Sequence, residues 1–252
     1  MKSVTKFLLG VVIIFFVMIA FFGGRNLTSK IQVEKASSDD PASWMNPYTS
    51  SSPMHREFDQ YRQWILNNEK LATFSGMARP TDRLTLSGQL ATKGFARLPT
   101  DLLEQHLPLV GKMLTSLDTR TCSNFIKYGI SDSDFSTYAY PIMNSFNDTE
   151  AKAWFLVNRS AIEAQLNGSP FIESSMENIK QAIFKISKLM SESQSRAFIS
   201  RLGNLKNEND EDACSTARTL YIEGNLLPEP YRGYMARLLL AGDDGRQKPL
   251  IK

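Results

Sequence analysis

The chain has 252 residues, of which 42% are hydrophobic and 22% charged, with two cysteines and two histidines. Five of the 29 Lys and Arg but only one of the 26 Asp and Glu fall before residue 36, which leaves 24 against 25 beyond it. The basic pI, about 8.8, therefore belongs to the N-terminus. The near-neutral remainder has no basic stripe with interleaved aromatics, which argues against nucleic acid as a partner.

Residues 7–22 read FLLGVVIIFFVMIAFF, sixteen positions without a charged or hydrogen-bonding side chain. A helix rising about 1.5 Å per residue needs about 20 residues to cross a hydrocarbon core, and Val4, Thr5, Gly23 and Gly24 bring the run near that length. Lys6 and Arg25 flank it and can carry their charges to the headgroups along apolar stems. A cleaved signal peptide has a shorter apolar core and small residues at the cut. Here Phe21 and Phe22 occupy those places, so residues 1–24 are expected to be an uncleaved signal anchor. The charges on the two sides nearly balance. The very short N-terminus favours an N-in, C-out orientation. The expectation is a single-pass protein of the inner (cytoplasmic) membrane with its C-terminal domain in the periplasm.

Residues 25–53 read as a tether. They include Ser37-Ser38-Asp39-Asp40-Pro41 and Thr49-Ser50-Ser51-Ser52-Pro53, a composition with little to bury. Trp44, Met45 and Tyr48 interrupt it and suit docking on the bilayer or on the domain.

From 54 to 252 the pattern is helical. Phe58, Tyr61, Trp64 and Ile65 share a face over 54–74. Thr81 or Asp82 is placed to cap the next helix, which carries Leu84, Leu86 and Leu90 and is weakened by Gly88 and Gly94. Thr100 is placed to cap a Leu-rich helix over 101–117, with a kink or break expected at Pro108. Cys122, Phe125 and Ile126 lie on a short helix that Gly129 ends. A helix over 133–146 is disturbed by Pro141. Thr149 and Glu150 open a strong helix stopped by Asn167-Gly168-Ser169-Pro170.

Ser174-Ser175-Met176-Glu177 has the S-x-x-E capping-box spacing. Met176, Ile179, Ile183, Ile186 and Met190 then alternate spacings of three and four, a packed seam. Ser191 begins another helix. Asn209 with Asp210, Glu211 and Asp212 suits a helix N-terminus. Pro228 or Pro230 starts the last helix, and the tail from Gly242 is expected to fray. No segment sustains strand alternation, so the fold class is all-α: a transmembrane helix, a tether, then a soluble domain of about eight to ten short helices.

Cys122 and Cys214 are an even pair far apart in sequence. If the domain is exported, one disulfide between them is expected; in the cytosol they would be two free thiols. Catalytic and metal-binding patterns are sparse. His55 and His106 have no H-E-x-x-H or C-x-x-C context, and His106 reads as a partly exposed helix histidine. There is no nucleophile elbow, Walker A or dinucleotide loop. Asp132-x-Asp134 and Asn207-x-Asn209-x-Glu211 lack the Gly and Glu of a calcium loop and read as helix N-terminal acids. No cofactor or metal is expected.

Phe171-Ile172-Glu173-Ser174-Ser175 contains a Glu-Ser pair that resembles the catalytic Glu of lysozyme-like transglycosylases. That resemblance implies Glu173 as a general acid in an apolar pocket, acting on envelope glycan. It stops at those residues, since no Gly-rich, Gln-containing segment follows. An acid ahead of a helix cap is ordinarily a dipole partner. The function expected first is an interaction or accessory protein of the cell envelope, binding another envelope protein. The alternatives are an envelope glycan hydrolase using Glu173 and a membrane-recruited cytosolic adaptor.

Overall fold

The structure, a computed structural model, describes residues 45–75, 80–129 and 135–241. The run at 7–22, Trp44, the Asp132-x-Asp134 pair and the tail from Gly242 lie outside them. The described chain is all-helical, with eleven α-helices and no strand among those residues. None of these helices is long and apolar enough to cross a membrane.

Helix α1 (Pro53–Asn67) starts where Ser52 Oγ accepts from Met54 N at 3.2 Å, with Pro53 in the first turn. Asn68 follows it, and its Oδ1 accepts from Leu71 N at 2.9 Å, beginning α2 (Glu69–Ser75). The single helix expected over 54–74 is thus two, because the Asn68 side chain competes for the backbone.

Helix α3 (Pro80–Gly94) continues into a 3₁₀ turn at Phe95–Arg97. Gly94 does more than weaken this helix. A Cβ there would stand 1.8 Å from the carbonyl oxygen of Ala161, so only glycine permits the close approach to the facing helix.

Helix α4 (Thr100–Ser116) runs through Pro108 without a break, contrary to expectation. Nor does Thr100 cap it. Pro99 holds the cap position without a side-chain bond, and Thr100 Oγ1 instead accepts from Arg237 Nε at 2.9 Å. Asp118 caps α5 (Thr119–Tyr128), accepting from Thr121 N at 3.0 Å, and Gly129 at φ 81° ends it as expected.

A π-helical turn (Phe135–Ala139) and the short α6 (Tyr140–Met143) replace the helix expected over 133–146, with Pro141 in the first turn of α6. Helix α7 (Asp148–Leu166) is capped by Asn147 rather than Thr149. Asn147 Oδ1 accepts from Glu150 N at 2.9 Å, and Glu150 Oε2 accepts from Asn147 N at 2.8 Å.

The expected cap of α8 (Met176–Ser187) is displaced by one residue. Ser175, not Ser174, accepts from Asn178 N, so the Ser174/Glu177 box does not form. Helices α9 (Glu192–Gly203) and α10 (Asp210–Leu226) begin at Ser191 and Asn209 as expected. Helix α11 (Tyr231–Leu240) follows Pro230.

Helix α4 is central. It packs against α6 and α7 on one side and α10 and α11 on the other, while α3 and α1 cover α7, α5 lies on α10, and α8 lies on α11. The larger core is mostly aliphatic, from Ile65, Leu103 and Leu107 through Ile162, Ile183 and Ile186 to Leu220 and Leu239. A smaller cluster gathers Tyr48, Met54, Leu109, Met113, Met143, Phe146 and Phe155.

Residues 45–52 fall inside the expected tether, yet Tyr48 is buried and its ring centroid lies 5.2 Å from that of Tyr140 and 5.8 Å from that of Phe58. Thr49 N donates to Asn144 Oδ1 at 3.0 Å and Ser52 Oγ donates to Asn144 O at 3.1 Å. Met45, by contrast, is exposed.

Candidate functional site

Cys122 on α5 and Cys214 on α10 are both fully buried, with their Cα atoms 5.5 Å apart and their sulfurs at disulfide distance. The pair lies where α5 packs on α10. Ser123 Oγ and Lys127 Nζ reinforce the same contact by donating to Asp210 Oδ1, at 2.8 and 2.9 Å.

Glu173 lies exposed two residues before the α8 cap. Its segment is fastened from three directions. Arg97 Nη1 donates to Ser169 O and its guanidinium lies 3.7 Å over the Phe171 ring. Ile172 N donates to Ala96 O at 3.1 Å, and Arg237 Nη1 donates to Ile172 O at 3.1 Å. The segment is held, but the Glu173 side chain stands in solvent. A general acid working near neutral pH needs an apolar pocket, and Glu173 has none.

His106 corrects the sequence reading. It is buried, with Phe95 and Trp154 at ring-centroid distances of 5.3 and 4.5 Å, and its Nδ1 has no partner. Burial pushes its pKa down to about 3, so the ring is neutral. Its position three residues after Leu103 and one before Leu107, on the leucine stripe, was the available signal. His55, on α1, lies 3.5 Å from Asp59 one turn later. Asn209 acts as a cap, as its acidic neighbours implied.

Two charged constellations were not anticipated. Arg237 is buried, and it donates to Thr100 Oγ1, to Leu98 O at 2.7 Å and to Ile172 O, all neutral acceptors. Burial lowers its pKa. The signal was a lone Arg inside the apolar run Met235-Ala236-Arg237-Leu238-Leu239.

Next to it, Arg232 Nη2 bridges Glu104 Oε2 at 3.0 Å and Glu229 Oε1 at 2.8 Å. Burial raises the Glu104 pKa, partly opposed by its hydrogen bond to Arg232 and reinforced by the Glu229 carboxylate. A paired, perturbed carboxylate is a usual mark of an active site. Gly233 packs closely against this pair: a Cβ there would stand 2.7 Å from both Glu104 Oε1 and Thr100 Cγ2. This charge seam joins α4 to α11.

No family model, curated protein or solved structure matches the chain. Among the described residues, no group of three His, Cys, Asp or Glu side chains is placed to hold a metal ion.

Two open clefts lie elsewhere on the described surface. One, of about 410 Å³, lies between the α1–α2 junction and the end of α7, lined by Trp64, Asn67, Asn68, Lys70, Glu163 and Asn167 among others. Several of its polar groups already have partners. Asn68 caps α2, Lys70 Nζ donates to Asn167 Oδ1 at 2.7 Å, and Arg159 both pairs with Glu163 and lies 4.8 Å over the Trp64 ring. The other, of about 310 Å³, lies beside Cys214 and includes Arg218, whose guanidinium donates to Leu114 O and Leu117 O at the end of α4. Glu173 lines neither cleft.

Proposed function

We propose that the chain is a membrane-anchored, extracytoplasmic helical protein of the cell envelope that acts by binding another envelope component. The observation that carries this reading is the combination of the apolar run at 7–22 with Cys122 and Cys214 at bonding distance in a fully helical domain. Disulfides persist in oxidising compartments and are rare in the cytosol. An anchor raises the effective concentration of a binding domain for other membrane partners. Exposed apolar side chains such as Phe184, Leu189 and Leu226 supply contact surface.

A C-terminal reporter active only outside the cytoplasm tests the orientation. Activity is the expected result, and a fusion active only as a cytoplasmic reporter overturns the reading. Cys122 and Cys214 should resist alkylation in protein isolated without reductant. Co-purification from solubilised membranes is the matching test of binding.

A further inference from the structure

Helix α8 has two sharply different faces. Ile179, Ala182, Ile183 and Ile186 are buried against the domain. Outward, at helical spacing, stand Gln181, Phe184, Lys185 and Lys188, with Lys180 on the flank and Leu189 just beyond the helix end. Phe184 is 51% exposed and Leu189 65%. Residues 178–191 contain three lysines and no acidic residue. Among the described residues none of the three lysines is ion-paired. Lys188 Nζ lies 4.9 Å from the centroid of the Phe184 ring, and Lys185 Nζ lies 4.5 Å from that of Tyr231 on α11. Cations and apolar groups thus share one surface.

The other exposed apolar side chains have at most one lysine a turn away, as Lys152 lies before Leu156 on α7 and Lys70 before Phe74 on α2. Ile222 and Leu226 on α10 flank Glu223, and beside Leu156 on α7 the nearby Arg159 is tied to Glu163. Exposed Phe and Leu beside lysines on a helix is the chemistry of an interfacial helix, whose apolar groups enter the headgroup boundary while its cations meet anionic lipid.

Geometry permits the contact. Residues 25–44 separate the anchor expected over 1–24 from the first described residue, twenty positions in all. At about 3.3–3.6 Å per residue they reach up to ~70 Å. A domain of this size has a radius of gyration near 16 Å, so roughly any of its faces can meet the bilayer.

We propose that the α8 face formed by Lys180, Phe184, Lys185, Lys188 and Leu189 docks on anionic headgroups in the leaflet that faces the domain, in the membrane that holds residues 7–22. The inference rests on the anchoring proposed above. Docking lays the domain on the bilayer and fixes which of its other faces remain open to a partner.

The test uses the full chain in lipid nanodiscs, either neutral or with about 30% anionic phospholipid, with lysine acylation mapped by mass spectrometry. Lys185 and Lys188 should react at least about threefold more slowly in anionic than in neutral discs, while the exposed Lys206 is unchanged, and high salt should restore them. The F184S/L189S variant, altered only at exposed positions, should lose that protection. Equal reactivity in both discs overturns the docking while leaving the anchor intact. Protection that is equal in both discs and grows with protein concentration assigns the face to a second copy and also overturns it. Failure of the chain to enter discs overturns the docking and the anchor together.

Discussion

The two cores of this domain are made from different materials. The larger is mostly aliphatic, with Phe125, Phe198 and Tyr221 among its members, drawn from helices whose apolar residues recur at three and four, and it contains the Cys122–Cys214 pair. The smaller is built around tyrosine, phenylalanine and methionine, and one of its members, Tyr48, comes from a stretch with no helical periodicity. Regular elements pack through repeating faces, which sequence displays. An irregular segment packs through a few large aromatic groups, each finding its own partners. Tyr48 does so among Phe58, Tyr140 and Phe155, and its hydroxyl lies 3.6 Å from Met143 Sδ.

The comparison can be broken first at the staple. Replacing both cysteines by alanine should cost about 4–5 kcal/mol, the chain-entropy value for a loop of this length. The sequence separation is 92 residues. Urea denaturation of oxidised protein against the variant measures it, and an unchanged midpoint would mean that the bridge adds nothing.

The smaller core should be nearly as sensitive at one residue. Tyr48→Ala removes a buried aromatic and should cost about 3–5 kcal/mol. If residues 45–52 were only a linker, the cost would be close to zero. Gly94→Ala forces a Cβ against the Ala161 carbonyl and should cost about 3 kcal/mol, because backbone rather than a flexible side chain must move.

His106 joins the two regions through pH. Its folded pKa is depressed by burial to about 3, below the ordinary value of 6.5. The unfolded chain then binds the proton more readily. The contribution is fully present above pH 6.5 and falls as pH drops toward 3, by at most about 1.4 kcal/mol per unit. The loss should reach about 2 kcal/mol at pH 5. His106→Phe, which keeps a ring beside Trp154, should flatten that part of the stability–pH curve. The smallest effect is at a cap: Asn147→Ala should cost about 1 kcal/mol, while Thr149→Ala should leave stability nearly unchanged if Asn147 alone caps α7.

Much of the fold was legible because helix formation is local. Apolar spacing marked the buried faces of α4, α5 and α8, Gly129 marked an end, and Ser191 and Asn209 marked starts. Caps were misplaced where two suitable residues lie close together, as with Ser174 and Ser175 or Asn147 and Thr149. Which of them turns the chain depends on how the preceding segment enters the helix. Glu173 was singled out from its neighbours in sequence, but exposure is a tertiary property, and it removes the pocket that a general acid needs.

The sequence by itself determined the all-helical class, the near-neutral charge beyond residue 35, and a cysteine pair on apolar helix faces. These follow from composition and from contacts within a few turns. The tertiary structure alone decided that Tyr48 joins a core, that His106 is sealed between Phe95 and Trp154, and that Gly94 admits Ala161. It also decided the place of Arg237, which bonds to carbonyls 65 and 139 residues away. A buried polar group must find acceptors wherever the fold brings them, and no local spacing records partners at that distance.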